Sequence, residues 1–460
     1  MTATRDASMT ITGNRLDLPP VAHTPRPYDG PSRDEILAMR RQYTNPAVFT
    51  LYKEPLLIVE GYMQYLYDET GRRYLDLFAG IVTVSVGHCH PQFVRRVQDQ
   101  VATLQHGTTI YLHPNFPLLA KKLASKMPAG LDVTYFVNSG SEANDLAVTM
   151  ARLYTGHHDV IAVRNGYHGG SPSAMGLTSH STWKYPTGGD GHVHHVVNPD
   201  PYRSPYDGRP EEIATKSVAD IRDLIRYSTP GKVAAFLAEP IQGVGGATHG
   251  APNYLREAYA VIREHGGLCI ADEVQTGFGR TGEHFWGFQN FGVTPDFVTM
   301  AKGIGNGAPL AAVTTRMDIA QTLKQRVHFN TYGGNPVSMA AGLAVLDVIE
   351  EDGLQENARV VGGRFKDGLE RLQRVHPLVG DVRGMGLMLG VELVRDRDSK
   401  TPAKEETLDV LEFAKEHGVL LGKGGLDGNV LRIKPPMCIT AHDVDYALDV
   451  IDLALRAAER

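Results

Sequence analysis

Residues Val133–Asn144 read VTYFVNSGSEAN. A β-branched and aromatic run, Val133–Val137, has the length of a strand and ends at a polar turn. The turn, Asn138 to Ser141, leads into the amphipathic stretch Asn144–Leu153, which reads as a helix. Working outward, the same unit recurs. Val160–Val163, Val233–Ala238, Leu268–Ala271, Phe297–Met300 and Ala311–Thr314 are further strand candidates, and Tyr254–Glu264 is a further amphipathic helix. Strands that alternate with helices define an α/β fold with a mostly parallel central sheet covered on both faces. Ligands of such sheets bind outside the carboxyl ends of the strands, so the residues just after each strand are the functional candidates.

The flanks differ in character. Residues 1–32 are polar and proline-bearing and are expected to be mobile. Asp34–Thr44 reads as a helix, and Leu56–Val59, Met63–Tyr67 and Tyr74–Leu77 read as short strands, the last two separated by the turn Asp68–Gly71. Residues 91–106 and 115–127 read as helices, residues 338–374 as one long helix, and residues 378–460 as short strands and helices again. The resulting division is a mobile segment 1–32, a first part of a smaller α+β domain at 33–90, a large domain at 91–345, and a second part of the small domain at 346–460.

Composition narrows the function. The 460 residues carry 46 basic and 52 acidic side chains, a formal charge of −6, which argues against nucleic acid or an anionic membrane as partner. No run of about 18 apolar residues is present. Near the N-terminus Arg5 and Arg15 are matched by Asp6 and Asp17, without the apolar core of a signal peptide, so a cytoplasmic protein is expected ahead of one of the mitochondrial matrix. Cys89, Cys269 and Cys438 lie far apart in apolar or glycine-rich runs, as buried inert thiols of a reducing compartment would. The histidines His88, His90, His192, His194 and His195 lack acidic partners at metal-ligand spacing, and no metal is expected. Gly418–Lys423 lacks the spacing and hydroxyl of a phosphate loop, and no dinucleotide fingerprint follows an early strand.

Four motifs follow the strands. Asn138–Asn144 opens a helix, where free amides and the helix dipole attract an anion; Gly140 lets the backbone approach, and Ser139 and Ser141 add hydroxyls. A serine N-cap alone would read the same way. Gly166-Tyr167-His168-Gly169-Gly170 offers an aromatic face between glycines, for a planar ring or for a simple turn. Asp272 ends a strongly apolar strand, where its charge needs a cation such as a protonated pyridine nitrogen. A salt bridge or helix cap is the plainer alternative, and joint metal ligation with Glu273 is disfavoured because neighbouring strand residues face opposite ways. Lys302 ends another apolar strand before alternating glycines, and a desolvated lysine can form a Schiff base. Phosphate cradle, ring stack, nitrogen partner and aldehyde partner are together what pyridoxal 5'-phosphate (PLP) requires.

The stretches Leu75–Pro91 (LDLFAGIVTVSVGHCHP), Phe136–Ala143 (FVNSGSEA), Ala238–Gly243 (AEPIQG), Cys269–Thr281 (CIADEVQTGFGRT), Met300–Gly307 (MAKGIGNG) and Phe329–Pro336 (FNTYGGNP) resemble the class III (subgroup II) aminotransferases of fold type I. Within that class the chain is most similar to the alanine–glyoxylate aminotransferase 2 family. The resemblance runs from about residue 35 to the C-terminus and implies a large domain with a smaller one built from both termini. It implies that Lys302 is the Schiff-base and proton-shuttling lysine and that Asp272 partners the ring nitrogen. Val274 and Tyr167 would lie on opposite ring faces, Gln275 would contact the ring hydroxyl, and Ser139, Gly140 and Ser141 would hold the phosphate. Thr331 would reach the phosphate in a neighbouring subunit, in a homodimer or homotetramer with shared active sites. Arg432 would bind the substrate carboxylate, and Glu239 would pair with it when the substrate lacks one there. The implied reaction is ping-pong transfer of an amino group from L-alanine, or a β-amino acid such as β-aminoisobutyrate, to glyoxylate or pyruvate. Related frameworks host ω-amino-acid transaminases, dialkylglycine decarboxylases and phospho-lyases. Residues 186–210, rich in Gly, Pro, His and Asp, match nothing firmly and read as an irregular excursion.

Overall fold

The computed structural model describes residues 17–186 and 191–460. In chain order the strands begin with β1 (Ile58–Tyr62), β2 (Tyr65–Asp68) and β3 (Arg73–Asp76), an antiparallel set. Next come β4 (Val133–Val137), β5 (Val160–Val163), β6 (Val193–Val196), β7 (Ala235–Ala238), β8 (Leu268–Asp272), β9 (Phe297–Met300) and β10 (Ala311–Thr315). The chain closes with β11 (Val379–Met385), β12 (Met388–Asp396), β13 (Thr401–Pro402), β14 (Val419–Leu420), β15 (Gly422–Gly424) and β16 (Val430–Ile433).

Strands β4 to β10 form one seven-stranded sheet in the order β4-β10-β9-β8-β7-β5-β6. All its pairings are parallel except those of β10, which runs against both β4 and β9. Two reversals restore direction, so β4 points the same way as β9, and the carboxyl ends of β4, β5, β7, β8 and β9 share one edge. Every residue of β5, β7, β8, β9 and β10 is buried, which is why they read as unbroken apolar runs. Helices cover the faces. The helix Pro210–Ser228 buries Ile213, Ser217, Ile221 and Ile225, four residues apart, as one stripe toward the sheet. On the N-terminal side of the chain β3 pairs in parallel with β14, so both termini contribute to one small sheet.

Several expectations need correction. The stretch 186–210 contains a regular strand: β6 pairs in parallel with β5 and forms the sheet's edge. Its His194 and His195 masked the apolar signal; the edge position tolerates them, with His194 hydrogen-bonded to Asp159 at 2.8 Å. Residues 187–190 of that stretch lie outside the described residues. The long helix at 338–374 is two helices, Pro336–Glu351 and Leu354–Val375, because Gly353 adopts φ 62° between them. Of the N-terminal segment, residues 1–16 lie outside the described residues, whereas the part from 17 docks on the body. Leu18 and Pro19 carbonyls accept from Arg73, and His23 stacks on Tyr62 at 4.5 Å. Cys269 is buried, but Cys89 is exposed, on a turn where it holds φ 49°.

Candidate active site

The shared strand edge opens into a cavity of about 340 Å³. Its walls include Ser139, Gly140 and Ser141 after β4, Tyr167 and His168 after β5, and Glu239 after β7. Asp272, Val274 and Gln275 come from the end of β8, and Lys302 follows β9. Nine of the residues singled out from the sequence therefore converge. Thr331 and Arg432 do not line this cavity: Thr331 is exposed, and Arg432 is buried beside it.

Ser139 caps the helix Gly140–Thr155, its hydroxyl accepting from the Glu142 amide at 3.3 Å. The cap and the anion site coexist. The amides of Gly140 and Ser141 precede the helix ladder and have no partner within it. The Ser141 hydroxyl accepts from the Gly170 amide at 3.1 Å, which leaves its own proton free to donate.

Asp272 is almost wholly buried and held by three donors. Oδ2 accepts from Asn144 Nδ2 at 2.9 Å and faces His168 Nδ1 at 2.7 Å, and Oδ1 accepts from the Val274 amide at 3.1 Å. Because a carboxylate only accepts, His168 donates through Nδ1. Thr299 in turn donates to Asn144 Oδ1 at 2.7 Å, fixing the amide. Burial alone would raise the Asp272 pKa; His168, Asn144 and the Val274 amide outweigh it and hold the group below its ordinary value. Asp272 is thus an ionised carboxylate. Its neighbour Glu273 faces the other way and accepts from the Gly287 and Phe288 amides, both at 2.8 Å.

Lys302 holds a left-handed backbone (φ 48°), a strained conformation for a side-chain-bearing residue. Burial pushes its pKa down, against Asp272 and Glu239, which push it up. Nearby, Ala79, Ile81 and Val82 also hold positive φ, and this strained turn leads to Thr83 on the cavity wall. Glu239 is raised by burial, and its oxygens accept from the amides of Tyr167 (3.0 Å) and Gly243 (2.6 Å). Arg432 lies over the Phe78 ring at 4.8 Å, and its buried Nε and Nη1 have no hydrogen-bond partner among the described residues. Burial lowers its pKa to about 10.

Three participants escaped the sequence reading. His168 and Asn144 sit inside motifs that were singled out, and Lys434 lies two residues after Arg432 on a strand's period-two face. A buried lysine in an apolar run was the available signal.

These residues fit PLP. A helix N-terminus offers amides to a phosphate, an ionised buried carboxylate suits a ring cation, and a lysine of depressed pKa suits an aldehyde. An open, mostly parallel α/β sheet with this set at its carboxyl edge is a PLP-dependent enzyme of fold type I. The family model for class III aminotransferases matches residues 50–455, and the chain belongs to that family.

The chain is 54% identical to alanine–glyoxylate aminotransferase 2 homolog 2, mitochondrial, of Arabidopsis thaliana, over 95% of this chain and 91% of that one. It is 43% identical to human alanine–glyoxylate aminotransferase 2, mitochondrial, over 95% and 89%. Among solved structures it resembles an amine transaminase from an uncultivated Pseudomonas species in its PLP-bound form, with TM-score 0.84 and 29% identity over 91% and 99% of the chains. The protein is a PLP-dependent transaminase, and its substrates are amino and keto acids. The cytoplasmic expectation is overturned, since these curated relatives are mitochondrial proteins. Two arginines set against two aspartates near the N-terminus are too weak a charge pattern to decide the compartment. Among the described residues no helix is long and apolar enough to cross a membrane.

Proposed function

We propose that the protein transfers the amino group of L-alanine, or of a β-amino acid such as β-aminoisobutyrate, to glyoxylate or pyruvate by a ping-pong mechanism. The observation that carries this reading is Arg432, whose buried guanidinium has two nitrogens, Nε and Nη1, without a partner among the described residues. A substrate carboxylate takes one edge of the guanidinium as a bidentate fork, pairing Nη2 with one of these two nitrogens. The names of the relatives supply alanine and glyoxylate. Glu239, whose charge reaches Arg432, is the counter-ion for donors lacking a carboxylate at that point.

PLP, when bound, supplies the aldehyde that accepts the amino group and a ring that takes up electrons. Lys302 would hold PLP by its aldehyde carbon, and its Nζ, once freed, would carry the proton of the donor's carbon. Asp272 would keep the ring nitrogen protonated, because its own charge is held by His168 and Asn144. Tyr167 and Val274 would lie against the ring faces, Gln275 would meet the ring oxygen, and Ser139, Gly140 and Ser141 would hold the phosphate; all six line the cavity. Thr331 completes the phosphate site of a second copy in a homodimer or homotetramer. The exposed apolar side chains near it, Val327, Phe329 and Tyr332, support such an assembly.

The test is the visible spectrum of the purified protein. Yellow colour bleached by L-alanine and restored by glyoxylate is expected; colour indifferent to alanine rejects the donor. Lys302→Ala should abolish turnover, and full activity in that variant would overturn the mechanism. Arg432→Gln should lower kcat/KM for alanine about 30-fold or more, the loss typical of a buried charge left unpaired.

A further inference from the structure

Lys434 is fully buried (0% exposed). It follows β16 two residues after Arg432, so both side chains leave the chain on the same face. Its Nζ donates to the Gly243 carbonyl at 2.9 Å and to Gln275 Oε1 at 3.1 Å. The charged groups around it are Arg432, Glu239, Lys302 and Arg280, and none of them forms an ion pair with it among the described residues. Even a neutral lysine amine carries two N–H bonds, matching the two acceptors.

The arm of the Gln275 amide that faces Lys434 is the oxygen, Oε1, at 3.1 Å, and an N–H of the lysine donates to it. The other arm, the NH₂ group, is a donor with no partner among the described residues, on a residue that lines the cavity. Gly243 makes this seat possible: a Cβ there would stand 2.2 Å from Gln275 Cδ and Oε1. The Gly243 amide also donates to Glu239, whose second oxygen accepts from the Tyr167 amide. Lys434, Gln275, Gly243 and Glu239 therefore form one connected wall.

We infer that Lys434 is a positioning residue that fixes the Gln275 amide with its NH₂ group toward the cavity, so that bound PLP meets a hydrogen-bond donor at its ring oxygen. The inference rests on the proposed contact between Gln275 and that oxygen. Without Lys434 the amide is free to rotate and set its own oxygen against the cofactor's anionic one.

The experiment is a pH titration of the visible absorption of the PLP-loaded full-length protein, run on the unaltered chain, Gln275→Ala, Lys434→Met and the double variant. A donor favours the form with more negative charge on the ring oxygen, so its loss raises the titration midpoint. Each single variant should raise it by about one unit. The double variant should shift no further than Gln275→Ala alone, since both changes remove one interaction. Lys434→Gln retains a donor and should keep the original midpoint. Lys434→Ala carries the same expectation as Lys434→Met should the latter fail to fold. An unmoved midpoint in Gln275→Ala overturns the underlying Gln275 contact and the inference with it. A shift in Gln275→Ala with none in the Lys434→Met or Lys434→Ala variants, or additive shifts in the double variant, overturns the role of Lys434 alone.

Discussion

At the scale of single residues, Asp272 shows how a buried charge is kept. Three donors compensate its burial, so Asp272→Asn loses the charge and turns an amide NH₂ group against one of those donors. The expected loss is about 10²–10³-fold in kcat with the fold intact, read by steady-state kinetics beside circular dichroism. Lys434 gives a pH signature. Burial pushes its pKa well below the ordinary 10.5, so between the depressed value and 10.5 the folded chain binds fewer protons than the unfolded one. Stability therefore rises with pH through that window, the reverse of what a raised lysine would give. Thermal unfolding at pH 7, 8 and 9 should show the unaltered protein gaining on Lys434→Met as pH rises; parallel curves would reject the depressed pKa. Lys302 and Asp272 were legible in the sequence because each ends an apolar strand, where a charge is conspicuous. His168, Asn144 and Lys434 were not, because each is defined by a partner 104, 128 or 159 positions away. Spacing along the chain carries no trace of such pairs.

At the scale of elements, the buried strands of the central sheet were readable because burial on both faces demands continuous apolar side chains. The edge strand β6 faces that demand on fewer sides, and its half-buried histidines erased the pattern. The break at Gly353 was missed for a different reason: helical periodicity continues across it, and only the left-handed backbone interrupts the ladder. Gly353→Ala should therefore destabilise the protein by about 1 kcal/mol, through an αL conformation that alanine resists, while leaving KM for the amino donor unchanged. Denaturant unfolding and steady-state kinetics on the same preparation check both halves. Gly243→Ala is the contrasting case. Its Cβ would occupy the seat of the Gln275 amide, so activity and PLP affinity should fall much further than stability does.

At the scale of the whole molecule, the one proposed site residue at the open surface is Thr331. It is nevertheless anchored to the wall of its own cavity: Asn330 receives the Gly333 amide at 2.8 Å and the Asn138 amide group at 3.0 Å. The surrounding surface is apolar to a degree unusual for a face left in water. Val327 is 93% exposed, Ile110 and Leu112 are exposed as well, and the His106 and Tyr332 rings lie 5.9 Å apart, joining the two segments. A second copy seated there would cover the patch and carry Thr331 to its partner's phosphate site. Complementation between subunits tests this directly. Lys302→Ala alone should be inactive, and Thr331→Arg should bind PLP weakly in both sites of its own dimer. In a mixed dimer one site combines an intact Lys302 with an intact Thr331 from the other subunit. Co-refolding the two variants should therefore restore activity, up to about a quarter of the unaltered protein's if subunits assort at random and sites act independently. No gain over the separate variants would mean that each chain builds its phosphate site alone.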